Sequence, residues 1–183
     1  MHFLILLLLS TTLSAFELPS GTVPQEEAFL LWAGNTAPEL VAPHVVAIVG
    51  QLAAHDGDDY ATQQADQTIA AKKGFSSWTT TFRFELPQEH LSGDFTCWMR
   101  WKQGGDPTGC PQALDVSAGE REDDLKPRAS FVMKPQGWTF AWVEGGRVTI
   151  EKTDRIIEVR ISGKGHDAKV FQAFYLAGPP RTP

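Results

Sequence analysis

The sequence has few cysteines, few tyrosines and an excess of acidic over basic residues. Two Cys, Cys97 and Cys110, among 183 residues do not provide a multi-thiolate metal site. Lys and Arg total 16 against 22 Asp and Glu, a net charge of −6 at pH 7. This balance argues against nucleic acid as a partner, because phosphates require a basic surface.

Several signatures of catalysis are also missing. The sequence contains no Gly-x-Ser-x-Gly elbow, no His-Glu-x-x-His pair and no phosphate-binding Gly-x-x-x-x-Gly-Lys loop. Two acidic clusters, HDGDD at 55–59 and EREDD at 120–124, are better explained as a solvated turn and an exposed loop, since the first lacks EF-hand spacing. The sequence therefore predicts no cofactor and no enzyme.

The first fifteen residues, MHFLILLLLSTTLSA, have the layout of a secretory signal peptide. An apolar run from Phe3 to Leu9 precedes small residues that end at Ala15. The run is shorter than the ~20 apolar residues that a membrane span needs. We therefore expect a protein secreted to the periplasm or outside the cell, with no membrane insertion after cleavage; a buried N-terminal strand or helix is the alternative.

Secretion bears on the two cysteines. Cys97 and Cys110 enclose twelve residues, and in an oxidising compartment such a pair is expected to form a disulfide. Closing a loop of this size stabilises a fold by ~3 kcal/mol in the chain-entropy model.

The rest of the chain is predicted to form one domain. Residues 16–43 are rich in Pro and Gly and predict an irregular segment, in which Ala28 to Trp32 is a candidate strand. The domain proper is predicted over 44–178, and 179–183 (PPRTP) as a disordered tail.

Within this domain, a strand is predicted over His44 to Ala54, with a helix as the alternative. Between Asp59 and Gly74, Ala61, Ala65 and Ile69 recur at four-residue spacing, which predicts a helix.

From residue 76 the hydrophobic period changes to two, which predicts strands. The predicted strands are Thr79–Leu86, Asp94–Lys102, Ala113–Ser117, Ala129–Met133, Trp138–Val143, Arg147–Ile150, Ile156–Ile161 and Val170–Leu176, with Gly, Pro or Asp between most of them. Many short strands with regular turns predict a mainly β sandwich or barrel with a small helical segment in its N-terminal half.

Tryptophan is the residue type that points to a function. If Phe95, Cys97 and Met99 face the core, alternation places Trp98 and Arg100 together on the opposite face of the sheet. Indole faces stack on the apolar C–H face of a sugar ring. Core packing, or cover by the N-terminal segment, remains the alternative for this pair.

The order of motifs from residue 78 to 177 resembles the galactose-binding-like jelly-roll carbohydrate-binding modules, especially families 6 and 35 and their relatives. FRFELP (82–87) is followed by GDFTCWMR (93–100) and then by the Trp-rich WTFAWV (138–143). These match the family's aromatic-x-Phe-x-Val/Leu-Pro strand, its Gly-x-Tyr-x-x-Trp-x-Arg strand and its Trp-rich strand, in the same order.

This resemblance implies a jelly-roll β-sandwich that binds a glycan or polysaccharide without catalysis. Trp98 and Trp138 would stack on sugar rings, while Arg100, His166 and Asp167 would supply polar contacts. Two alternatives stay open: a structural or adhesion component of the cell envelope, and a small glycan-active lyase or hydrolase.

The sequence departs from the family at its structural calcium site. Gln172 stands where the family usually has Asp, and the nearest counterpart of its opening Glu-x-Glu is Glu26-Glu27, far upstream. A structural calcium ion is therefore not expected.

Overall fold

Two β-sheets make up the structure, a computed structural model that describes residues 16–20, 28–39, 42, 44–56, 60–71, 77–103, 112–133, 137–164 and 169–178. The described strands are β1 (Ala28–Trp32), β2 (Val45–Val49), β3 (Gln51–Asp56), β4 (Tyr60–Gln63), β5 (Thr68–Ala71), β6 (Ser77–Glu85), β7 (Gly93–Gln103), β8 (Gln112–Gly119), β9 (Lys126–Met133), β10 (Ala141–Ile150), β11 (Ile156–Lys164) and β12 (Lys169–Ala177).

The larger sheet has seven strands. Its main path runs β10-β7-β12-β1-β2, and the β4–β5 hairpin is attached to β12 through β5. The smaller sheet has the order β3-β6-β11-β8-β9. Among the described strand pairs, only β1 and β2 run parallel. The prediction of a mainly β, jelly-roll sandwich is thus confirmed.

The core lies between the two sheets and is built by alternation along the strands. In β6, Phe82 and Phe84 point inward and are fully buried, whereas Arg83 points outward. Across the core, the Phe174 ring lies 5.9 Å from Phe82 and 6.0 Å from Phe84, centroid to centroid. These aromatic contacts hold the sheets together.

The strand predicted at Ala28 to Trp32, within the irregular 16–43 segment, is β1 at the interior of the larger sheet. All five of its residues are buried. Phe29 and Leu31 face the main core, while Leu30 and Trp32 belong to a second apolar cluster on the outer face of the sheet. A continuous apolar run of this kind is typical of a strand that is covered on both faces.

The predicted helix between Asp59 and Gly74 is wrong. The described part of that stretch forms the β4–β5 hairpin, closed by a hydrogen bond from the Gln64 amide to the Gln67 carbonyl at 2.7 Å. Pairing of β5 with β12 overrides the helical spacing of the alanines. The described residues contain one helix, a 3₁₀ turn at Glu122–Asp124, so the small helix predicted in the N-terminal half is absent there.

The strand predicted over His44 to Ala54 is instead two strands that belong to different sheets. The chain bends at Gly50, whose amide donates to the Trp32 carbonyl at 2.9 Å. A Cβ at this position would overlap the Phe84 ring. β2 thus joins the larger sheet and β3 the smaller one.

The two strands predicted between Trp138 and Ile150 are one strand, β10, with a register shift between Glu144 and Gly146. Trp138 itself lies in a bend just before this strand. The EREDD run is an exposed turn as predicted, and Glu122 in it pairs with Arg83 at 2.6 Å.

Cys97 is a free thiol in the structure, 2% exposed in the main core. Burial raises the pKa of this thiol to about 12. The predicted disulfide to Cys110 is therefore not shown, and Cys110 lies outside the described residues.

The predicted signal peptide, 1–15, and the predicted tail, 179–183, also lie outside the described residues. In the part of the chain that is described, no helix is long and apolar enough to cross a membrane.

Candidate functional site

Aromatic side chains gather on the outer face of the larger sheet. Alternation in β7 directs Trp98 and Arg100 to this face, opposite the buried Cys97 and Met99. The neighbouring strands place Trp142 beside Arg100 and Tyr175 beside Trp98. We call the set Trp32, Trp98, Arg100, Trp142 and Tyr175 the outer aromatic face.

A short stretch of chain, 16–19, lies on this face, and we call it the cover segment. The Phe16 ring makes T-shaped contacts with Trp32 and Trp142, with ring centroids 5.1 Å and 6.0 Å apart. The Arg100 guanidinium carbon lies 4.8 Å from the Phe16 ring centroid, a cation–π distance. Of the two alternatives for Arg100, open platform or cover by the N-terminal segment, the structure has the second.

Hydrogen bonds fix the backbone of the cover segment. Trp142 Nε1 donates to the Glu17 carbonyl oxygen at 3.0 Å, and Arg100 Nη1 donates to the same oxygen at 3.5 Å. Burial lowers the pKa of the Arg100 guanidinium, and the Glu17 carboxylate opposes that shift. The cover segment therefore supplies both an aromatic ring and an acceptor to the outer aromatic face.

Two hydrogen-bond donors on the same face have no acceptor among the described residues. Trp98 Nε1 and Arg100 Nε are buried and have no hydrogen-bond partner among the described residues. An unsatisfied buried donor costs ~1–3 kcal/mol. The polar groups of the outer aromatic face are thus only partly matched by the segment that covers them.

An exposed patch continues from this face toward the end of β7. Trp138 is 56% exposed, and the Lys102 ammonium lies 4.8 Å from its ring centroid and 4.3 Å from that of Phe140. The Gln103 amide donates to the Gly137 carbonyl at 3.2 Å and holds this bend against β7. We call Lys102, Trp138 and Phe140 the Trp138 patch.

The sequence resemblance implied Trp138 as a stacking residue, whereas Lys102 and Phe140 were not predicted. The signal for Lys102 was available, because it shares the parity of Trp98 and Arg100 on β7. The predicted polar residues His166 and Asp167 lie outside the described residues, between β11 and β12.

The described residues contain no group of three or more His, Cys, Asp and Glu side chains that could hold a metal ion. One charged cluster is structural: Arg128 pairs with Asp154 at 2.9 Å and with Glu151 at 2.6 Å. The hydrogen bond between Arg128 and Glu151 raises the pKa of the guanidinium and lowers that of the carboxyl. This cluster pins the turn between β10 and β11.

A polar groove of about 550 Å³ lies on the outer face of the smaller sheet. Charged and hydroxyl side chains line it, among them Asp115, Ser117, Arg128, Ser130, Glu158 and Arg160. None of its described lining residues is aromatic.

The two facing sheets and their strand order define a β-sandwich of the jelly-roll type. No family model matches the chain, and no curated protein matches it. Solved structures with a similar fold include carbohydrate-binding modules, the class that the sequence motifs resemble. One is a xylan-binding module of family 15, with a TM-score of 0.45 and 13% identity over 73% of this chain and 98% of that one.

Two further modules are similar at the same level. A family 29 carbohydrate-binding module from Piromyces equi has a TM-score of 0.41 and 9% identity, covering 82% of this chain and 91% of that one. A family 61 module in complex with β-1,4-galactotriose has a TM-score of 0.37 and 18% identity, covering 70% and 85%. The likeness is one of fold, so the function is argued below from the side chains.

Proposed function

We propose that this chain is a secreted, non-catalytic protein that binds a glycan by stacking a sugar ring on Trp138. The observation that carries the proposal is the exposure of Trp138 next to a cation. Trp138 is 56% exposed, although tryptophan is highly buried on average. The Lys102 ammonium beside it supplies hydrogen-bond donors next to this apolar ring.

The chemistry of the Trp138 patch matches that of a sugar. The C–H face of a pyranose is apolar and slightly positive, so it packs on the electron-rich face of an indole. The Lys102 ammonium, which carries three donors, lies over the Trp138 ring at 4.8 Å from its centroid. In this proposal it moves off the ring when a sugar stacks there and bonds hydroxyl or carboxylate oxygens of that sugar. In this proposal His166 and Asp167 supply further polar contacts, and residues 1–15 direct secretion.

The test is retention of the protein on a panel of polysaccharides, by affinity electrophoresis and then by calorimetry with oligosaccharides of the retained polymer. Trp138→Ala is expected to weaken binding about tenfold, because stacking of this kind is worth ~0.5–1.5 kcal/mol beyond the area buried. Trp138→Phe keeps an aromatic face and is expected to retain most of the affinity.

Val132→Ala is the matched control, since Val132 is 77% exposed on β9 of the smaller sheet. Retention equal to the natural protein is expected for this variant. Failure of the natural protein to bind any polymer, or equal binding by Trp138→Ala, would overturn the proposal. In the second case, light scattering would show whether Trp138 instead mediates contacts between proteins, as the structural alternative requires.

A further inference from the structure

We infer that the cover segment occupies a second glycan subsite, and that a long glycan chain displaces it from the outer aromatic face. This inference rests on the proposed function and concerns the regulation of the same site. Under it, the chain has an exposed subsite at the Trp138 patch and a closed subsite beneath Phe16.

The first argument is continuity between the two surfaces. Lys102 contacts both Trp138 and Phe140, and the Arg100 guanidinium lies 5.7 Å from the Phe140 ring. Arg100 in turn lies over Phe16. An unbroken series of cation–aromatic contacts therefore leads from the exposed ring to the covered face, and a ligand longer than the patch meets Phe16 next.

The second argument is that Phe16 occupies the position that a sugar ring would take. It makes T-shaped contacts with two tryptophans, Trp32 and Trp142, and a guanidinium lies over its face. The Glu17 carbonyl accepts from Trp142 Nε1 and Arg100 Nη1, as a sugar hydroxyl oxygen would. An apolar ring followed by an acceptor imitates the two parts of a pyranose.

The third argument is that the imitation is incomplete. Trp98 Nε1 and Arg100 Nε are buried without an acceptor among the described residues. A peptide segment offers this face one carbonyl, whereas a sugar carries several hydroxyl groups, each able to accept. A glycan would therefore satisfy donors that the cover segment leaves unpaired, and this difference favours displacement.

The fourth argument concerns what closure does to affinity. If the outer aromatic face is open only a fraction of the time, its apparent affinity falls by that fraction. Short sugars that need only the Trp138 patch escape this reduction, whereas long ones do not. The cover segment therefore determines how long a glycan must be before contacts with the outer aromatic face increase its affinity.

The experiment uses the full chain with Phe16→Ala, which removes the ring but keeps the Glu17 carbonyl. Calorimetry compares mono- and disaccharides with hexasaccharides of the polymer that the natural protein retains. We expect an approximately tenfold gain in hexasaccharide affinity and no change for the short sugars. Phe16→Leu is expected to give a smaller gain, and Val132→Ala none.

A second measurement follows the cover segment in the natural protein. Amide hydrogen exchange of Glu17 and Leu18 reports whether the backbone of the cover segment stays protected on the outer aromatic face. Saturating hexasaccharide is expected to speed amide exchange of the segment, whereas a saturating disaccharide leaves it unchanged.

The two proposals fail in different ways. If hexasaccharide affinity depends on Trp138 but is equal in the natural protein and Phe16→Ala, the cover segment is part of the fold and the inference is overturned while the proposed function stands. Slower segment exchange on hexasaccharide binding overturns it too. If neither protein binds any glycan, the proposed function fails first.

Discussion

The six tryptophans of this chain occupy three different environments. Trp78 and Trp101 are buried in the main core. Trp32 is buried on the outer aromatic face, where Trp98 and Trp142 are half-buried. The exposed member of the set is Trp138. Trp98 and Trp101 lie three residues apart on β7, so the alternation of the strand alone assigns them to opposite faces.

At the same scale, the Cys97 thiol predicts a pH dependence of stability. Its pKa in the folded state is raised to about 12 from an ordinary 9.0. The folded state therefore favours the neutral thiol over the thiolate. Its contribution is complete below about pH 9 and is lost as the pH rises toward 12, by up to ~1.4 kcal/mol per unit. Urea unfolding of the natural protein and Cys97→Ala between pH 8 and 10.5 measures this loss.

Comparison with the variant isolates the thiol, because every other ionisable group is present in both proteins. We expect the stability difference between the natural protein and Cys97→Ala to shrink steadily above pH 9. A difference that stays constant with pH, and that disappears when both proteins are reduced, would instead show that Cys97 forms the predicted disulfide with Cys110.

At the scale of elements, strands with a clear period of two were predictable. β7 alternates without interruption from Asp94 to Gln103, and β6 alternates except at Thr81, which is also buried. The predicted bounds of both strands agree closely with the structure. The β4–β5 hairpin was not predictable because its pairing with β12 is a long-range contact. The division of His44 to Ala54 at Gly50 escaped prediction for the same reason, since it depends on the Phe84 ring.

The candidate site divides in the same way. The outward direction of Trp98 and Arg100 follows from local alternation, so the sequence predicted it. The position of the cover segment does not, because Glu17 meets Arg100 and Trp142 across 83 and 125 residues. Hydrophobic periodicity in the sequence does not predict contacts between residues so far apart along the chain.

The bend between β2 and β3 gives a prediction of its own. Gly50→Ala places a methyl group in the Phe84 ring, which is fully buried in the core, and overpacking of this kind costs ~1–3 kcal/mol. Chemical denaturation measures the loss. Gly137→Ala is the control, since a Cβ there meets no atom within 4 Å, and its stability is expected to equal that of the natural protein. Equal stability of Gly50→Ala would mean that β2 and β3 are not joined by this bend.

At the scale of the whole molecule, the sandwich depends on contacts between distant parts of the chain. β12 lies between β7 and β1 in the larger sheet, and Phe29 of β1 is in register with Leu176 of β12. The larger sheet is therefore complete only when both ends of the described chain are in place. A fold dominated by such pairings is expected to form slowly, in milliseconds to seconds.

Stability and binding are expected to separate at this scale. Phe174 contacts Phe82 and Phe84 across the two sheets, and it is fully buried. Phe174→Ala leaves a cavity between the sheets and is expected to cost ~3–5 kcal/mol of stability, measured by urea denaturation against Val132→Ala.

The same variant leaves the Trp138 patch untouched, because Phe174 faces the main core and the patch lies at the end of β7 on the opposite side of the sheet. Below its unfolding transition, Phe174→Ala is therefore expected to bind the retained glycan with the affinity of the natural protein. Calorimetry well below the transition makes the comparison. Loss of affinity in a variant that is still folded would mean that the glycan contacts the core side of the larger sheet and that the binding site does not lie at the Trp138 patch.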